Sequence, residues 1–165
     1  RVYCVAFSPD GTLLATSGHH LIRADGSSVI NAELATRGKL KLWDPKTGEL
    51  KRDLGEHFSD LRSVAFSPDG KTLASIGSFP PGWTSGVRLW DPQAGAVKKV
   101  HAIRRGGLQY ETVAMSPDGK LVAASAFIRE VDPNDPSSTR GLPGCNLMAW
   151  NAQTGDPLFL SLIHI

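Results

Sequence analysis

The chain has 165 residues and a mass of 17.7 kDa, enough for one domain with a sizeable core. Apolar residues make up 41% and charged residues 21%, and the formal net charge is only +2. That balance is ordinary for a globular protein and gives no electrostatic case for a polyanion partner. No apolar run approaches the roughly 20 residues a membrane-spanning helix needs. No basic-then-apolar leader opens the chain, which begins at Arg1, a start expected of a fragment or a processed chain. The compartment stays open between cytoplasm and periplasm. Cys4 and Cys145 are few and far apart, and read as small buried hydrophobes rather than a disulfide.

In chain order the elements fall into three similar units. Val2 to Phe7 alternates and is rich in β-formers, which predicts a strand. Ser8-Pro9-Asp10-Gly11 then makes a tight turn, in which Pro9 presets φ and Gly11 accepts a positive φ. Thr12 to Ser17 returns as the second strand of a hairpin. A long segment, His19 to Gly38, precedes Lys39 to Trp43, whose alternation sets Leu40 and Leu42 on one face. Within that segment Val29 to Thr36 reads as a hairpin extension rather than a turn or two of helix. Pro45, Thr47 and Gly48 turn the chain into a fourth, more polar strand, Leu50 to Leu54.

The second unit repeats the order: strands at Leu61 to Phe66, Thr72 to Ile76, Val87 to Trp90 and Ala96 to Ile103, with Ser67-Pro68-Asp69-Gly70 as the first turn. Its long connection, Gly77 to Gly86, carries Pro80-Pro81-Gly82-Trp83. The third unit runs Thr112 to Met115, turns at Ser116-Pro117-Asp118-Gly119, and returns along Leu121 to Ala126. The connection Phe127 to Gly144 contains Asp132-Pro133-Asn134-Asp135-Pro136, which is expected to break regular structure. Asn146 to Trp150 and Pro157 to Ile165 are the remaining strands. The closing letters, residues 161–165, look like the start of a translated adapter read-through, and nothing is built on them.

Three copies of one ordered set therefore fill the chain: Val-Ala-Phe or Val-Ala-Met, Ser-Pro-Asp-Gly, a returning strand, and a tryptophan followed by Asp or Asn. Trp43-Asp44, Trp90-Asp91 and Trp150-Asn151 are the last members. In combination this set resembles the WD repeats of β-propellers, in their bacterial style. The resemblance implies an all-β propeller segment of three four-stranded antiparallel blades, with long insertions between second and third strands. The blades would span about residues 1–57, 58–105 and 106–165. Three blades do not close a ring of the usual four to eight, so the chain is expected to be part of a larger propeller or to assemble with copies.

The resemblance also assigns structural roles. Asp10, Asp69 and Asp118 would cap their turns, Phe7, Phe66 and Met115 would fill the spaces between blades, and the tryptophans would sit in the outer inter-blade packing. The family's buried hydrogen-bond set of tryptophan, strand hydroxyl, loop histidine and loop aspartate maps in part onto Trp90, Ser75 and His57. Glu56 stands where the family has glycine, no aspartate occupies the expected turn, and Gly106 takes the histidine's place in the third unit.

Function is sought where the units differ. The connections of variable length join second and third strands, and in a propeller they emerge on one face together with the links between units, Gly55 to Asp60 and His101 to Glu111. Trp83, Arg23, Arg37, Arg104, Arg105, Arg129 and Arg140 are the candidate partner-binding residues, since Trp and Arg dominate interface energetics. Asp25, Glu33, Glu56, Asp60, Glu111, Glu130, Asp132 and Asp135 in the same loops give mixed sign, which points to a protein or peptide partner and not to nucleic acid. Catalysis finds no support. His19-His20 with Asp25 lacks zinc spacing, the Asp132 to Asp135 stretch lacks the glycine and distal glutamate of a calcium loop, and no phosphate loop or nucleophile elbow occurs. The expected function is a scaffold without catalysis, cofactor or metal. The alternative is a propeller whose loops complete an enzyme or small-ligand site.

Overall fold

The computed structural model describes residues 1–20, 37–57, 61–79, 84–103, 108–132 and 135–163, with only the backbone described at strand ends that border the gaps between these ranges. Among the described residues twelve strands form three sheets. The first holds β1 (Val2–Phe7), β2 (Leu14–His20), β3 (Arg37–Trp43) and β4 (Leu50–His57). The second holds β5 (Ser63–Phe66), β6 (Leu73–Phe79), β7 (Thr84–Asp91) and β8 (Ala96–Ile103), and the third β9 (Leu108–Met115), β10 (Leu121–Asp132), β11 (Asp135–Asn151) and β12 (Pro157–Ile163). Every sheet is a four-stranded antiparallel meander in chain order. This is the all-β architecture the repeats predict.

The Ser-Pro-Asp-Gly letters fold identically three times. Ser8 Oγ donates to Asp10 Oδ1 at 2.6 Å, and the same carboxylate oxygen accepts the Thr12 N–H at 3.0 Å. The Leu13 N–H donates to Ser8 Oγ at 2.9 Å. Ser67 and Asp69 repeat these bonds with Lys71 and Thr72, and Ser116 and Asp118 with Lys120 and Leu121. Gly11, Gly70 and Gly119 take φ of 70°, 69° and 70°, the left-handed region in which a Cβ is strained. The residue after each tryptophan caps the other turn: Asp91 Oδ1 accepts the Gln93 and Ala94 N–H groups at 2.9 and 2.8 Å. Asn151 makes the equivalent two bonds without a charge.

Period-two alternation gives the middle sheet two apolar faces. Leu61, Val64, Leu73 and Trp90 meet Ala15, Leu40, Leu42 and Leu54 of the first sheet. Ala74, Ile76, Val87 and Leu89 meet Tyr110, Val113, Val122, Met148 and Trp150 of the third. Phe66 and Met115 border these seams as expected. Phe7 does not fill a seam. It is 63% exposed, with Val5 57% exposed beside it on the same face of β1, because no described element covers that side of the first sheet. Trp43 and Trp90 donate their indole N–H groups to Thr16 Oγ1 (2.8 Å) and Ser75 Oγ (2.9 Å). Ala124 holds the matching position in the third sheet, so the bond is not repeated there.

Two expectations need correction. Glu111 lies within β9 and not in a loop, because β8 and β9 leave only 104–107 between them. The connection Phe127 to Gly144 is mostly strand, with β10 running to Asp132 and β11 starting at Asp135. Pro136, from the stretch expected to break regular structure, falls among residues without a partner in register, at the shift between Val131 and Asp132, and Pro143 does the same at the shift between Phe127 and Arg129. A bulge asks for no ladder donor there, so the pairing continues past it.

Two outcomes follow from these bonds. Ser75→Ala leaves a buried indole N–H without its hydroxyl acceptor and is expected to cost about 1–3 kcal/mol in urea unfolding; an unchanged midpoint would contradict it. Asp10, Asp69 and Asp118 are each held below the ordinary aspartate value of 3.8, first by the serine hydroxyl and then by the N–H two residues on. With folded values below the unfolded one, their stabilisation is complete above the unfolded pKa and is lost as pH falls through the folded values. The triple Asp→Asn variant should therefore lose less thermal stability than the parent as pH falls through and below 3.8.

Candidate interaction face

Antiparallel meanders put alternate connections at opposite ends of a sheet. In all three sheets one end carries the short capped turns, after the first and third strands. The other end carries the connections between second and third strands, whose last described pairs are His20 with Arg37, Phe79 with Thr84, and Asp132 with Asp135. The links between consecutive sheets leave from this end too. The third hairpin reaches furthest: β10 continues from Ala126 to Asp132, a projection of roughly 20 Å at strand rise.

The predicted binding residues distribute unevenly over the described parts. Trp83, Arg23, Arg104 and Arg105 lie outside the described residues, as do Asp25, Glu33, Asp60, Asn134 and the segment Val29 to Thr36. Arg37 opens β3 opposite His20. Arg129 and Arg140 are brought onto one extended hairpin, opposite Gly141 and Glu130 respectively. His57 closes β4 opposite Gly38, and its side chain lies outside the described residues, so the histidine member of the hydrogen-bond set does too. Cys4 is a free, half-buried thiol whose Sγ lies 3.8 Å from the Val64 carbonyl in the first seam.

Beneath this face, polar groups tie the second and third sheets. Arg62 pairs with Glu111 at 2.7 Å, and the Val113 N–H donates to Ser63 Oγ at 3.2 Å. Tyr110 is buried in the seam, and burial pushes its phenol pKa up, so it stays neutral. His101 stacks on Trp150 with centroids 6.0 Å apart. Burial, and then the nearby Lys99 charge, holds its pKa below 6.5, which favours the neutral ring. Arg88 lies over the Trp90 ring at 5.3 Å, its pKa lowered by burial. Trp90 and Trp150, with Arg88 and His101 against them, lie next to the short turns capped by Asp91 and Asn151, at the opposite end from the variable connections.

The turn end holds a feature that sequence reasoning missed. A cavity of about 520 Å³ opens between the second and third sheets, lined by Lys71, Lys98, Lys99 and Lys120 along with Asp69 and Asp118. The four lysines come from three separate stretches of chain. The recurrence of lysine after Gly70 and Gly119 was the available signal.

Comparison with known proteins agrees with this geometry. The sequence profile of the family described as WD domain, G-beta repeat matches residues 1–30 and 48–91. The chain is 34% identical over 91 residues to periodic tryptophan protein 2 of Arabidopsis thaliana, covering 55% of this chain and 9% of that protein. It is 28% identical over 141 residues to WD repeat-containing protein 1 of Mus musculus, covering 82% of this chain and 20% of that protein. The chain thus spans a small part of the length of the curated relatives it matches. Among solved structures, Kuenenia stuttgartiensis hydrazine synthase superposes with a TM-score of 0.66 at 18% identity, over 98% of this chain and 41% of that one, a likeness of fold alone. With its ordered motifs, its three meander sheets and these matches, the chain belongs to the WD-repeat family of β-propeller proteins.

Proposed function

We propose that this chain is a non-catalytic scaffold that binds a protein or peptide partner through the end of the sheets bearing the variable connections. The observation that carries the reading is the contrast between the two ends. Turns at one end are short and closed by the same Ser–Asp bond with a glycine at the same φ, as a repeated frame requires. Connections at the other end differ in length in every sheet and rise from a rigid base, which is where recognition loops are placed. The mixed charge of those connections suits a protein surface better than a phosphate backbone.

The three sheets, at about residues 1–57, 58–105 and 106–165, are read as consecutive blades of a larger propeller or of an assembly of copies. The exposed Val5 and Phe7 support this reading. They occupy the positions that Val64 and Phe66 occupy at the first seam, so a further blade or a second copy would cover them in the same way.

The test is affinity recovery of partners from the source cell extract by the chain and by two variants, Trp83→Ala and the double change Arg104→Ala with Arg105→Ala. Recovery should fall severalfold in at least one variant, as expected when an interface anchor costing about 1–2 kcal/mol is truncated. Undiminished recovery by both would overturn the proposed binding face.

A further inference from the structure

We infer that the cleft at the turn end, between the second and third sheets, is a separate binding site for an acidic peptide. It lies opposite the variable connections and does not depend on the function proposed for them. Four lysines line it against two aspartates. The aspartates are already committed, since Asp69 and Asp118 each accept a serine hydroxyl and a backbone N–H of their own turns. Among the described residues no carboxylate lies within ion-pair distance of Lys71, Lys98 or Lys99, and Lys120 reaches Asp118 only at 4.0 Å.

Two of these cations are fixed in place by neutral acceptors. Lys98 Nζ donates to the Lys71 carbonyl at 2.8 Å and to Thr72 Oγ1 at 3.3 Å. Lys99 Nζ crosses to the third sheet and donates to the carbonyls of Gln153, at 2.9 Å, and Thr154. Each ammonium has three protons, so each keeps one to donate. Their charges are held at the cleft without being neutralised there, which reduces the ordering cost of binding an anion.

The rest of the lining selects among anions. Leu89, Met115 and Ala152 supply apolar surface between the lysines. Among the described residues no aromatic ring and no arginine lines the cleft, which gives no platform for the base stacking and forked phosphate contacts used for nucleic acid. A peptide with glutamates on both sides of an apolar residue matches this order: carboxylates on the lysines, the apolar side chain on Leu89 and Met115.

The probe is a fluorescently labelled Glu-Glu-Leu-Glu-Glu peptide, titrated with the whole chain and read by anisotropy. Saturable binding is expected, weakening when salt is raised from about 50 to 500 mM. The double variant Lys71→Gln with Lys120→Gln keeps the backbone bonds of both turns and should bind about tenfold more weakly, with circular dichroism unchanged. Trp83→Ala should leave this affinity unaltered, which separates the site from the opposite face. The proposal is overturned if the parent chain shows no saturable binding, if the double variant binds equally well, or if an oligothymidylate of equal charge binds more tightly than the peptide.

Discussion

Apolar contact between neighbouring sheets is the constraint on which everything else in this molecule rests. A four-stranded meander of short strands has two faces, and period-two alternation makes both faces of the middle sheet apolar. Exposing either face would forfeit about 1.5–3 kcal/mol for each large side chain involved. Leu42, Leu73, Ile76 and Val122 are fully buried because a second sheet lies on each. Phe7, with the same place in its strand as Phe66, shows the alternative, since its side of the first sheet is uncovered.

The seams also explain why the two ends of the sheets differ. Where sheets meet at the turn end, hydrogen bonds are local and repeated, and long cations bridge from one sheet to the next turn. Lys99 reaches the turn before Gly155, and the Arg52 side chain lies against Gly95 in the corresponding place at the first seam. Both glycines have positive φ, and a Cβ at Gly155 would fall within 3 Å of Lys99 and His101. That end is thus geometrically closed to insertion. The opposite end has only strand pairs to extend, and a hairpin extends without disturbing the seam below it. The long β10–β11 ladder shows that tolerance directly.

Much of this was legible from residues because each repeated letter has a local mechanism. Asp10, Asp69 and Asp118 close their own turns within five residues, and Trp90 finds Ser75 one strand away. The extent of β8 could be read from alternation between two turns. What failed to read was non-local. Pro136 looks like a breaker until the opposing strand shows that it sits at a register shift. The lysine cleft is assembled from two sheets, and neither sheet's sequence alone announces it. Trp83, Arg104 and Arg105 rest on residue type and loop position alone, without a repeated bond to anchor them.

The dependence of each sheet on its neighbour can be measured by hydrogen exchange on Leu42→Ala. Leu42 belongs to the first sheet and is fully buried in the seam with the second. Truncation should cost about 2–5 kcal/mol. If sheets are stabilised by stacking, protection will fall in β6 and β7 of the second sheet as well as in β2 and β3. Loss of protection confined to the first sheet, with β6 and β7 exchanging as before, would show that each sheet holds itself and would contradict the central claim.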